Sequence, residues 1–280
     1  MQENGKVMQL RFWGVRGSIP TPETDKMKIG GNTSCIELSL GEKRVILDMG
    51  TGIRELGKKI VKEIESGKTS EIIIFLSHTH WDHIQGFPFF NPIYMPGVKI
   101  VIYGPEKANR HLQVLLEGQM EYDYFPVKFS HLPSKIEFHE LSEGVHSIME
   151  GVRIEIKRHI HPAIAYTYRF EYKGKSIVYS TDTEHFHDVI DKRVVEISKN
   201  ADILIHDAQY TDQIIGYRLG WGHSTWKQAV KVASEAGVKK LALFHYDPDQ
   251  SDDEIMKIGE EAKLIFPGTI VSREGLVLDI

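Results

Sequence analysis

Four side chains able to bind a metal, His78, His80, Asp82 and His83, stand within six residues, directly after the apolar run Ile72 to Leu76. A buried strand that ends in such a loop presents several ligands to one point. Extended residues two apart face the same way, so His78 and His80 can bind one ion together. Asp82 and His83 then turn away to reach a second. The segment therefore demands a fold in which a central strand ends at an accessible edge.

The donor types follow from the composition. Cys35 is the only cysteine, so neither an internal disulfide nor a cysteine-based zinc cluster can form. Any metal must therefore be held by His, Asp or Glu; the chain has fourteen histidines, and neutral imidazole with carboxylate suits Zn²⁺, Fe or Mn²⁺. No apolar run approaches the roughly 20 residues that span a bilayer. The first residues carry no apolar signal segment, so a cytoplasmic protein without a membrane partner is expected.

No linker, repeat or low-complexity tract interrupts the chain, which reads as one domain over residues 1–280. Short β-branched or aromatic runs predict strands at Gln9–Trp13, Cys35–Leu40, Arg44–Leu47, Glu71–Leu76 and Lys99–Tyr103. A second group covers Arg153–Arg158, Tyr166–Tyr172, Ser176–Tyr179, Ile203–His206, Leu241–Phe244, Thr269–Ser272 and Leu276–Asp279. Arg273-Glu-Gly275 reads as a hairpin turn between the last two. Helical spacing appears at Ile53–Glu65, Lys107–Glu117, Val189–Ser198, Thr225–Ala236 and Asp252–Leu264. Mixed strands and helices in this order fit an α/β (α+β) four-layer αββα sandwich, with a doubly wound sheet as the alternative.

The segment HTHWDH resembles the HxHxDH signature of the metallo-β-lactamase superfamily. Three later residues, His161, Asp182 and His245, each follow a predicted strand in the order that the family pattern asks for. The resemblance covers nearly the whole chain and implies the αββα sandwich with two divalent metal ions at one edge. His78, His80 and His161 would bind one ion, Asp82, His83 and His245 the other, and Asp182 would bridge them. Zinc is the first expectation, with manganese and iron open. Asp48 looks like the residue that orients a ligating imidazole.

Two such ions about 3.5–4 Å apart activate water and clamp both oxygens of an in-line displacement. Phosphodiesters, thioesters, lactones and lactams all remain open on that basis. The segments HDAQY and GHSTW resemble the C-terminal half of ribonuclease Z and its phosphodiesterase relatives, including phosphoribosyl cyclic phosphodiesterase. By that match Asp207 and His223 form a pair near the scissile phosphate, and Asp82 holds or deprotonates the water. Arg16 and Asn32, in the Gly-rich N-terminal loops, are candidate phosphate contacts. His185 and His187 are candidates for the pocket wall.

His161 and Asp182 are only 21 positions apart, which leaves no room there for the RNA-gripping arm of ribonuclease Z. The formal net charge is −5, and no basic stripe is visible. The expected substrate is therefore a small or cyclic phosphodiester, with a large nucleic acid disfavoured. A lactonase or thioesterase, or an RNA-processing nuclease, is the alternative. The resemblance also raises a homodimer, and the aromatic segment Gly118–Pro133 could be a lid or an interface.

Overall fold

A computed structural model describes residues 7–106, 110–186 and 189–280. Among them, fourteen strands form two seven-stranded mixed sheets. Chain order gives β1 (Met8–Gly14), β2 (Cys35–Leu40), β3 (Lys43–Leu47), β4 (Glu71–Phe75), β5 (Lys99–Pro105), β6 (Lys135–Leu141) and β7 (Gly144–Met149). The rest are β8 (Val152–Arg158), β9 (Tyr166–Tyr172), β10 (Lys175–Ser180), β11 (Ile203–Asp207), β12 (Leu241–Phe244), β13 (Thr269–Val271) and β14 (Val277–Asp279). The first sheet runs β14-β1-β2-β3-β4-β5-β6, and the second β13-β12-β11-β10-β9-β8-β7.

Period-two alternation sorts the side chains into layers. In β3, Val45 and Leu47 enter the cluster between the sheets, while Ile46 joins the outer cluster. In β4, Phe75 faces inward, and Ile72 and Ile74 face outward. There they meet helix α1 (Ile53–Glu65), whose buried Ile53, Leu56, Gly57 and Ile60 make one helical stripe. Phe75 stacks on Tyr103 at 4.8 Å and meets the edges of Tyr168 and Phe170 at 5.5 and 5.3 Å.

Short helix α2 (Trp81–Ile84) follows the ligand loop, and α3 (Leu112–Gly118) packs outside β6. Outside the second sheet lie α4 (Lys192–Ser198), α6 (Trp226–Ala236) and α7 (Asp252–Ile265), with α5 (Asp212–Ile215) in a connecting loop. Capping boxes start α6 at Thr225 and α7 at Ser251. The result is the αββα sandwich. Among the described residues no helix is long and apolar enough to cross a membrane.

Three expectations differ from the structure. Arg273–Gly275 is no hairpin: β13 pairs with β12 in one sheet, and β14 pairs with β1 in the other. The turn carries the chain across the sandwich. Strands β6 and β7 went unpredicted. They are edge strands, with no fully buried residue in β6 and only Met149 buried in β7, so they lack a core-facing signal. The predicted helix from Lys107 begins at Leu112, and residues 107–109 lie outside the described residues. The segment 118–133 is mostly packing: Met120, Phe125, Val127 and Phe129 sit on the outer core, and Tyr122 and Tyr124 are exposed.

Candidate metal centre

Strands β3, β4, β8, β10, β11 and β12 release their chains at one edge. β3 and β4 are parallel, β10, β11 and β12 are parallel, and β8 points with β10 because both are antiparallel to β9. Asp48 follows β3, His78 and His80 follow β4, and His161 follows β8. Asp182 follows β10, Asp207 ends β11, and His245 follows β12. Carboxyl ends of strands are the usual place for a ligand in such sheets.

The structure brings all seven expected ligands together in two groups. His78, His80 and His161 form one, and Asp82, His83, Asp182 and His245 form the other. Within each group the ligand atoms lie within 4.8 Å of one another. Asp182 stands between them. Its Oδ1 is 3.7 Å from His78 Nε2, and its Oδ2 is 3.1 Å from His83 Nε2 and 3.3 Å from His245 Nε2.

Hydrogen bonds behind the imidazoles decide which nitrogens carry lone pairs. The Asp48 carboxylate accepts from the Ser77 N–H and from the Ser77 and Tyr179 hydroxyls, and His83 Nδ1 donates to it likewise at 2.7 Å. His245 Nδ1 donates to Gln209 Oε1 at 3.0 Å, and His161 Nδ1 to the Gly222 carbonyl at 3.2 Å. Each Nε2 is left as a lone pair. With both rings neutral, those of His83 and His245 face each other at 3.2 Å with no hydrogen between them. Ser77 Oγ donates to Asp48 and accepts from His78 Nδ1, so His78 Nε2 is a lone pair too, buried without a partner. Converging lone pairs call for a cation, and a divalent metal fits this donor set.

The charges agree. Burial alone would raise Asp82, but His83 and His245 hold it well below the usual carboxylate range. Asp182 behaves likewise through His245, His83 and His78. Burial opposes a charge on His83, yet Asp182, Asp82 and Asp48 push it well above the ordinary imidazole value, so without an ion the ring keeps a second proton on Nε2, at the place a cation would take. Carboxylates thus dominate the second group. Burial lowers His161 to about 4 and also lowers His78 and His80, so the first group is neutral imidazole ready to ligate.

His223 and Asp207 meet at the rim, Nδ1 to Oδ2 at 2.8 Å. Asp207 Oδ1 also accepts the backbone N–H groups of Gln209 and Ser224, both at 3.0 Å. Burial disfavours the His223 cation, but Asp207, then Asp182 and Asp82, outweigh it and raise the group to about 9. Among the described residues nothing takes His223 Nε2.

Residues absent from the sequence reading complete the centre. The Ser18 backbone N–H donates to Asp82 Oδ2 at 2.8 Å. Gly17 lets that loop pass the His245 ring, where a Cβ would stand 2.5 Å away. Glu184 accepts from the N–H groups of Gly220 and Gly222 at 2.7 and 2.8 Å, which fixes the carbonyl behind His161. A Gly222 Cβ would lie 2.0 Å from His161 Nδ1. A DTE segment, a GSI loop and a GWG turn carry no distinctive sequence signal.

Three expected contacts are corrected. Arg16 is fully buried and cannot meet a substrate: its guanidinium bonds to the Gly30, Asp247 and Gln250 carbonyls and to Asp252. It ties the N-terminal loop to α7. Asn32 binds the Glu274 carboxylate through both its backbone N–H and its side-chain amide. His185 is 1% exposed and is held between the Asp191 N–H and His206, so it lines no pocket wall. His187 lies outside the described residues. Asp48 does not cap α1, whose N-cap is Gly52. It accepts from His83, Tyr179 and both the N–H and Oγ of Ser77.

Known proteins agree with this architecture. Residues 43–246 match the beta-lactamase superfamily domain. Ribonuclease Z of Archaeoglobus fulgidus is 25% identical over 320 aligned residues, covering 98% of each chain. The metallo-beta-lactamase fold protein YhfI of Bacillus subtilis superposes with a TM-score of 0.72 at 21% identity, covering 98% of this chain and 99% of that one. The short form of human tRNase Z superposes at 0.68 with 20% identity, covering 97% and 99%. The full-length similarity to a ribonuclease overturns the expectation that a large nucleic acid is disfavoured. A net charge of −5 averages the whole surface and does not set the potential at one cleft.

Proposed function

This chain belongs to the beta-lactamase superfamily of metal-dependent hydrolases, and we propose that it cleaves phosphodiester bonds in RNA. One observation carries the reading. A chain that matches a ribonuclease over 98% of both lengths keeps, at the rim of its ligand cluster, an imidazole held by a carboxylate. His78, His80 and His161 would hold one ion, and Asp82, His83 and His245 a second, with Asp182 between them. Zinc is the first choice for this nitrogen and oxygen set. Bound there, the ions supply Lewis acidity toward phosphoryl oxygen and lower the pKa of water.

The residues divide the remaining work. Asp82, held ionised, accepts a hydrogen bond from the attacking water and takes its proton toward solvent. Asp48 and Gln209 fix the rings of His83 and His245. As the P–O bond to the leaving group breaks, His223 delivers a proton from Nε2 to that oxygen. Asp207 keeps the imidazole in the required tautomer and stabilises its charged form.

The test is a panel of a 3′-extended structured RNA, bis(p-nitrophenyl) phosphate, a thioester and a lactone, on protein loaded separately with Zn²⁺ and Mn²⁺. RNA cleavage that falls roughly 10²–10⁴-fold in His223→Ala, with metal content retained, is the expected result. Hydrolysis of the thioester or lactone, with both phosphodiesters untouched, would refute it.

A further inference from the structure

A second cleft opens on the same loop that carries the ligands. It has a volume of about 470 Å³, within the ordinary range for a small-molecule site. Thr79 and Trp81, which alternate with His78, His80 and Asp82, form one wall. Phe89, Val114, Tyr124 and Phe125 form much of the remainder. We propose that this cleft is the subsite for a nucleobase of the substrate, the base adjoining the phosphodiester cleaved at the metal centre. The proposal rests on the phosphodiester reading above.

Three observations point to a flat ligand with a polar edge. The first is exposed aromatic surface: Trp81 is 72% exposed and Tyr124 77%, although each lines a concave site. Folding alone gives no reason to leave an indole in water between two ligand residues. The second is ring geometry. Phe89 and Phe125 meet edge to face at 5.5 Å, which fixes two rings of the wall before any ligand arrives. The third is chemical. Gln119 lines the cleft, and its amide Nε2 is buried with no hydrogen-bond partner. A buried orphan donor is costly, and a ring nitrogen or carbonyl on a base edge would satisfy it. An alkyl chain would fill the volume but leave the amide unpaired. A base stacked on the indole and bonded to the amide uses all three features.

Fluorescence titration of the full chain with adenosine 5′-monophosphate tests this, with ribose 5-phosphate and octanoate as controls. The nucleotide should quench saturably, and neither control should compete. Trp81→Phe should abolish most of the quenching, which assigns the signal among the four tryptophans. Gln119→Leu, a change that removes an unpaired polar atom and so spares the fold, should weaken nucleotide binding about tenfold. The kinetic counterpart compares a dinucleotide with its abasic analogue. The wild type should prefer the base-bearing diester roughly 10- to 100-fold through KM, and Trp81→Ala should collapse that ratio. Equal binding of octanoate, equal binding of ribose 5-phosphate, or quenching retained in Trp81→Phe would each overturn the assignment. Base binding without any phosphodiester cleavage would sink the proposed function and leave the subsite standing. RNA cleavage indifferent to the base would do the reverse.

Discussion

Asp48→Asn should weaken binding of one metal ion far more than the other. The Asp48 carboxylate accepts four hydrogen bonds, all at 2.7–2.8 Å: from His83 Nδ1, Tyr179 Oη, and both N and Oγ of Ser77. Asparagine keeps one oxygen, which can stay on the Ser77 N–H. Its NH₂ then faces the two hydroxyls and the His83 N–H. The hydroxyls can rotate, but the imidazole N–H cannot. His83 must therefore tilt away or move its proton to Nε2, where the lone pair toward the second ligand group is lost. Loss of such a supporting contact costs about 10- to 100-fold in metal affinity, or about 1.4–2.8 kcal/mol. Competition with a chromophoric chelator reads the two stepwise constants. The expected result is a normal constant for the His78/His80/His161 group and a weakened one for the group containing His83. Two unchanged constants would show that the Asp48 contact does not set the His83 tautomer, and the lone-pair argument would fail with it.

Other substitutions separate the parts of the centre. Gly222→Ala places a Cβ 2.0 Å from His161 Nδ1 at a left-handed φ of 92°, so the first ligand group should lose its ion while the second keeps it, as metal analysis will show. In metal-free protein the folded pKa of His223, about 9, lies above its ordinary 6.5. Its contribution to stability is then complete below about 6.5 and lost as pH rises through about 9, so wild type and His223→Gln should converge in Tm at alkaline pH. Phe75→Ala removes a fully buried ring packed on Tyr103, Tyr168 and Phe170 and should cost about 3–5 kcal/mol in urea unfolding.

The legible parts of the molecule are those written locally. His78 and His80 could be read because a two-residue spacing at a strand exit fixes their common direction. The starts of the helices predicted from Thr225 and Asp252 could be read because the signals there are local: each capping box, at Thr225 and Ser251, closes within three residues. Core strands were visible through their apolar runs, and the edge strands β6 and β7 were not, because half-exposed strands carry little pattern. Long-range contacts left no trace. Arg16 looked like an available cation beside a Gly-rich loop, and only the fold brings Asp252, 236 positions away, onto its guanidinium. Ser18, Gln209 and Glu184 are equally ordinary in sequence, and each acts through a partner brought up from another part of the chain.

Backbone conformation gives the same division a physical basis. Six non-glycine residues among those described have a left-handed φ, and four of them, Ser18, Asp48, Asp182 and His245, belong to the candidate metal centre. Asp48 and His245 come immediately after β3 and β12, and Asp182 comes two residues after β10. A strand directs its side chains above and below the sheet, not off its end. A single left-handed residue at the exit turns the side chain out of the pleat toward the edge. Glycine would adopt that conformation freely but has no ligand to offer, so the fold carries about 1–3 kcal/mol of strain at each such position. Asp48 is held there by its four hydrogen bonds, and His245 by Gln209. Replacing Gln209 with Leu should therefore loosen the His245 turn as well as its tautomer, and the His83 group should lose its ion before the fold loses stability.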